Sequence, residues 1–240
     1  MLSIDKVKGN KREFLALTGL TVAEFKAVVP SFEKAYAKSC RGPRTLSGTL
    51  RIRASGSGPD GRLDSIEQKL LFILVYLKTY PIQVVMAKLF DMSQPRVNHW
   101  IHRLLPILKT ALDEMGVIPE RDGQQFAKTE QRRGAAKNYL IDGTERRRKR
   151  PKAPKKQTLH YSGKKKQHTD KNIVITELKS GRVGYLSPTR PGTVHDKKFA
   201  DHEQICYPPN TRLHKDTGFQ GYEPPVKKTL QPKKSQKDEN

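Results

Sequence analysis

Two short apolar runs, each ending in an acid, decide how this chain is read: Tyr139-Leu140-Ile141-Asp142-Gly143-Thr144 and Thr211-Arg212-Leu213-His214-Lys215-Asp216-Thr217-Gly218-Phe219. Each has the pattern of a buried strand that stops at an Asp followed within two residues by Gly, which holds the carboxylate on a strand end facing a loop. Open α/β sheets keep their chemistry at such ends. Taken singly, an Asp with a nearby Gly is also an ordinary turn.

Two strands are expected between the acids, Ile173-Val174-Ile175-Thr176-Glu177-Leu178 and Val183-Gly184-Tyr185-Leu186-Ser187, joined by Lys179-Ser180-Gly181-Arg182 as a hairpin turn. Thr193 to Ile205 then has a helical pattern, with Thr193 and Asp196 at capping-box spacing and Phe199 on the apolar side. Also between the acids lie Tyr161-Ser162-Gly163-Lys164-Lys165-Lys166-Gln167-His168-Thr169 and Ser187-Pro188-Thr189-Arg190-Pro191-Gly192-Thr193-Val194-His195-Asp196-Lys197-Lys198.

In this order the two acidic strand ends and these two blocks resemble the catalytic domain of a DDE transposase, in the insertion-sequence branch related to the Harbinger elements. The resemblance implies an α+β or α/β fold: an all-helical N-terminal helix-turn-helix domain followed by a ribonuclease H-like mixed sheet. In such a sheet the first and fourth strands are neighbours, so Asp142 and Asp216 would meet although 74 positions separate them. Their implied role is catalytic and metal-binding. Moving a phosphodiester needs a strong oxygen nucleophile and relief of charge on the leaving oxygen, which two divalent ions about 4 Å apart supply. Hard cations such as Mg²⁺, or Mn²⁺ in its place, take carboxylate oxygens. The resemblance includes a His-Asp step at His195 and Asp196, which enter as supporting residues; capping alone also accounts for Asp196.

The family carries a third acid, a Glu on a later helix. Here Glu223 follows Asp216 by seven residues and precedes Pro224-Pro225, and Glu239 belongs to a Lys-rich tail, so neither matches. The expectation is a sheet that is C-terminally incomplete, in a truncated copy or the first product of a frameshifted gene, with the missing acid supplied by a partner chain.

Composition is consistent with this. The 47 Lys and Arg against 24 Asp and Glu leave a net charge of +23, which selects a polyanion as partner. The longest apolar run, Leu70 to Leu77, is far short of the roughly 20 residues of a membrane span. A soluble protein is expected, cytoplasmic and nucleoid-associated in a bacterium or nuclear in a eukaryote. Cys40 and Cys206 stand far apart with no nearby Cys partner, which suggests neither a disulfide framework nor a zinc cluster.

Five regions follow from the patterning. Residues 1–39 form N-terminal helices, with Phe14, Leu15, Leu17, Leu20, Phe25, Val28, Val29 and Phe32 on one face around a cap at Thr21. Residues 40–63 are a basic loop rich in Gly and Ser. Residues 64–115 form a helix-turn-helix domain. Its first helix is capped at Asp64 or Ser65 and packs through Ile66, Leu70, Ile73, Leu74 and Leu77. Ser93 caps a second helix with Pro95 in its first turn and Val97, Ile101, Leu104 and Leu105 inward. Gln94, Arg96, Asn98, His99 and Arg103 are then left outward as the DNA-reading face. A plain helical hairpin fits the same pattern. Pro106 should end or kink that helix. Residues 116–137 read as a polar linker, and 138–240 as the partial catalytic domain.

Arg146 to Lys156 holds eight basic residues in eleven, broken by Pro151 and Pro154, and should be an exposed loop. Arg146, Arg147, Arg148, Lys149 and Arg150, extended by Lys164, Lys165 and Lys166, would grip phosphates beside the active carboxylate; a solvated tail is the plainer reading. The expected function is metal-dependent cleavage and strand transfer on double-stranded DNA at element terminal repeats, by a homo-oligomer on DNA. The alternative is a catalytically incomplete DNA-binding protein that occupies element ends or inhibits a full-length transposase.

Overall fold

The Thr21 cap forms as expected. Glu24 N–H donates to Thr21 Oγ1 and Thr21 N–H to Glu24 Oε2, a reciprocal pair that satisfies two otherwise orphaned donors. It opens α3 (Val22–Arg41), after α1 (Ile4–Lys8) and α2 (Lys11–Thr18). The computed structural model describes residues 1–41 and 62–232. Most of the expected basic loop at 40–63, and the tail with Glu239, lie outside them. The chain divides into two units, Met1–Val117 and Ile118–Asn240.

In the first unit, α4 (Ile66–Thr79) is buried around most of its circumference, from Gln68 to Ile73 and at Val75. Its Ser65 cap accepts from Gln68 N–H, and Gln68 binds Ile4 N–H and Leu2 O. The one-face expectation fails at Leu77 and, on α2, at Leu15, both exposed. A helix enclosed by its neighbours has no single inward stripe. After α5 (Gln83–Leu89), α6 runs unbroken from Gln94 to Glu114 through Pro106. Pro106 is exposed and so is His102, whose carbonyl loses its donor on a face open to water. The buried stripe of Ile101, Leu104, Ile107, Leu108 and Ala111 holds the helix together across that loss.

The second unit is a mixed sheet. Strand β1 (Asn138–Arg147) is central, antiparallel to β3 (Gln167–Glu177) and parallel to β6 (Arg212–Lys215), which pairs with β7 (Lys228–Leu230). On the outer edge of β3 sit β2 (Tyr161–Ser162), β5 (Arg190–Pro191) and β4 (Val183–Leu186) in turn. The order β4-β3-β1-β6-β7 makes the first and fourth long strands neighbours, as a ribonuclease H-like core requires. Three helices complete the unit: α7 (Phe126–Arg132), α8 (Pro154–His160) and α9 (Asp196–Glu203). Among the described residues no single helix is long and apolar enough to cross a membrane.

The stretch expected as a linker, 116–137, contains α7, whose Phe126 and Glu130 are fully buried. Glu130 takes two hydrogen bonds from Arg182, at 2.8 and 2.7 Å, and one from Tyr139 OH at 2.9 Å. Burial alone would raise this carboxyl, but those bonds and the Arg182 and Arg133 charges hold it below its ordinary 4.5. Arg182→Ala should therefore cost about 3 kcal/mol at neutral pH, near the low end for a broken buried pair, because Arg182 is partly exposed. A carboxyl depressed in the folded state stabilises above its unfolded value and loses that contribution as pH falls through the folded one. The difference between wild type and variant should then shrink below pH 4.5, in urea unfolding of the full chain across pH.

Candidate functional site

Pairing between β1 and β6 ends at Ile141↔Lys215, so Asp142 and Asp216 occupy the next register position on adjacent strands. Neighbouring strands lie about 4.8 Å apart, which makes two acids distant in sequence into close neighbours, as expected. The strand-end expectation holds for Asp216, which caps a short 3₁₀ turn by accepting from Gly218 N–H at 2.9 Å. It does not hold for Asp142. Strand β1 continues to Arg147, because β3 stays paired with it as far as Thr169 after β6 has stopped. Both acids are exposed, and Asp142 Oδ1 accepts from Gly143 N–H at 2.8 Å.

A third carboxylate stands against the glycines that follow the two acids. A Cβ built on Gly143 would fall 2.4 Å from Asp196 Oδ1, and one on Gly218 2.8 Å from Asp196 Oδ2 and 3.1 Å from Asp216 Oδ1. Gly143, inside β1, and Gly218, in the 3₁₀ turn, therefore both serve as clearance for Asp196. The expected capping box does not form: His195 is the N-cap of α9 and is exposed, and Thr193 Oγ1 donates to Leu159 O. Asp196 turns instead to Lys171 on β3, whose Nζ lies 2.9 Å from Asp196 Oδ1 in an ion pair without hydrogen-bond alignment. The same ammonium stands 3.2 Å from Glu145 Oε1 and donates to Val194 O at 2.8 Å. Burial would raise the Glu145 carboxyl, but the Ser162 hydroxyl, the Lys171 ammonium and the Thr169 hydroxyl hold it below its ordinary value. Lys171 and Glu145 were not singled out from the sequence, since only strand register and helix docking bring them to Asp196.

Carboxylate oxygens are the donor set that hard divalent cations select, so Asp142 and Asp216 fit such ions. Among the described residues no group of three or more His, Cys, Asp or Glu side chains is arranged to hold one. Glu223 is committed elsewhere, accepting from Lys215 Nζ and Thr229 Oγ1.

The basic run is not a free loop. Arg146 and Arg147 are paired residues of β1, and Pro154 starts α8 at a position where proline costs nothing. Arg146 binds Asn172, Arg148 pairs with Asp170 beside His160, and Arg150 binds Gln157. Arg147 and Lys149 remain exposed. So do Lys164, Lys165 and Lys166, at the tip of the β2–β3 turn that leads to the β3 residues facing Arg147. On α6, Gln94, Arg96, Asn98 and His99 are exposed as expected. Arg103 is not: its guanidinium lies over the Tyr36 and Trp100 rings and donates to Cys40 Sγ. Partial burial, then the Arg103 and Arg96 charges, push the His99 imidazole below its ordinary value.

Residues 61–114 match the family described as helix-turn-helix of DDE superfamily endonuclease, and residues 141–240 the family described as DDE superfamily endonuclease. No curated protein and no solved structure matches the chain. DDE superfamily endonucleases use divalent metal ions. With paired acids at the β1–β6 register and a helical domain before them, this chain carries a DDE superfamily endonuclease domain preceded by the helix-turn-helix of that superfamily.

Proposed function

We propose that the chain is a DDE transposase of the Harbinger-related branch, which cleaves and joins DNA strands at element ends. The observation that carries the reading is that Asp142 and Asp216 share the register position next beyond Ile141↔Lys215. Asp142 and Asp216 would hold Mg²⁺ or Mn²⁺, which when bound supplies charge relief at the scissile phosphate and activates the attacking oxygen. Asp216, fixed by Gly218 N–H, and Asp142, fixed by Gly143 N–H, keep their oxygens oriented without a ligand. Arg147, Lys149 and the Lys164–Lys166 tip hold the phosphate backbone. Chelation with EDTA should abolish cleavage of duplex DNA carrying element ends, and Mg²⁺ or Mn²⁺ should restore it. Cleavage that persists in EDTA would sink the metal-dependent reading.

One observation favours a second reading, a protein that binds element ends without cutting: among the described residues no three ligand side chains converge for a metal. Both readings place sequence discrimination on α6, whose first turns carry Gln94, Arg96, Asn98 and His99. Changing Arg96 and Asn98 to Ala should lower affinity for the element end by about 1–3 kcal/mol for each lost base contact and leave random-sequence binding nearly unchanged. Equal loss on both DNAs, in parallel titrations, would make α6 a positioning helix only.

A further inference from the structure

Lys171 is a charged side chain in the core of the second unit, 5% exposed, directly across from Glu145 in the β1–β3 register. An ammonium has three donors, and here three oxygens stand around it: Glu145 Oε1 on β1, Asp196 Oδ1 in the first turn of α9, and the Val194 carbonyl just before that helix. It thus ties the sheet to the start of α9. Asp196, so tied, presses one oxygen towards Gly143 and the other towards Gly218. Those glycines immediately follow Asp142 and stand two residues past Asp216. A buried ionic cluster is seldom the cheapest way to stabilise a core, since apolar side chains of similar volume often serve as well or better.

Building on the metal-ligand reading above, we propose that Lys171 is a positioning residue for the Asp142–Asp216 pair. Through Asp196 it fixes how far β1 stands from the turn after β6, and so sets the spacing of the two acids. Partners behind metal ligands typically change metal affinity about 10- to 100-fold when removed.

The sign of the effect makes the proposal testable. By charge alone, removing an ammonium beside an acidic site should tighten cation binding; by positioning, it should weaken it. Mn²⁺ titrations of the full chain, followed by electron paramagnetic resonance, should show Lys171→Met binding about 10-fold or more weaker than wild type. Asp196→Asn, which keeps the shape packed against both glycines, should weaken binding similarly, and the double variant should be no worse than either single one. Unchanged or tighter binding in Lys171→Met, with a wild-type urea transition, overturns the proposal. If Lys171→Met does not fold, unchanged affinity in Asp196→Asn overturns it instead. Loss in Asp196→Asn with tighter binding in Lys171→Met would make Asp196 a direct ligand and also defeat it. An Asp142→Asn control separates the two levels: if that variant binds Mn²⁺ like wild type, the ligand reading fails, whatever Lys171 does.

Discussion

Changing Arg147, Lys149, Lys164, Lys165 and Lys166 together to Ala should flatten the salt dependence of duplex binding, while changing Arg146, Arg148 and Arg150 should leave it nearly as steep. With a net charge of +23, the wild type should lose about a thousandfold or more in affinity between roughly 50 and 200 mM salt, the range for six to ten phosphate contacts. Each phosphate contact contributes about 0.9 to the slope of log affinity against log salt, so losing all five would lower it by about 4.5. The two sets differ in their commitments. Arg146, Arg148 and Arg150 already serve Asn172, Asp170 and Gln157. The five residues of the first set are exposed and lie at one end of the β1–β3 pair, around the turn that carries Lys164 to Lys166. A salt series on the two variants and the wild type checks this. An unchanged slope in the first would remove this end of the sheet from the DNA interface.

That contrast marks where sequence reading stops. The pairing of Asp142 and Asp216 was legible because two apolar runs ended in acids and the family resemblance implied a strand order that sets those runs side by side. The continuation of β1 past Asp142 was not, since it depends on β3 staying paired after β6 stops. Gly143 looked like a turn residue because its second constraint, the Asp196 carboxylate, arrives from a helix more than fifty residues later. Asp196 looked like a cap because Thr193 stands three residues before it, and local spacing cannot register a lysine on another strand. Arg103 belonged to the outward face by periodicity, yet the Tyr36 and Trp100 rings hold it by cation–π contact. Pro154 carried a usable signal: a proline opening a helix fits its first turn, where it starts α8.

Asp142→Asn and Asp216→Asn should each abolish metal-dependent cleavage while leaving the fold and DNA binding intact. An asparagine keeps the oxygen that accepts from Gly143 N–H or Gly218 N–H and removes only the charge. The transition-state stabilisation at stake is several kcal/mol, which corresponds to about a thousandfold or more in rate. Two carboxylates on adjacent strands also repel one another and gain from a cation that offsets their charge, so metal binding should report the pair even where turnover is slow. The most direct measurement is the Mn²⁺ affinity of the full chain beside the two Asn variants, each shown by urea unfolding to be folded. Paired ligands predict that the wild type binds and that both variants lose most of that affinity; wild-type affinity in either variant would contradict the account.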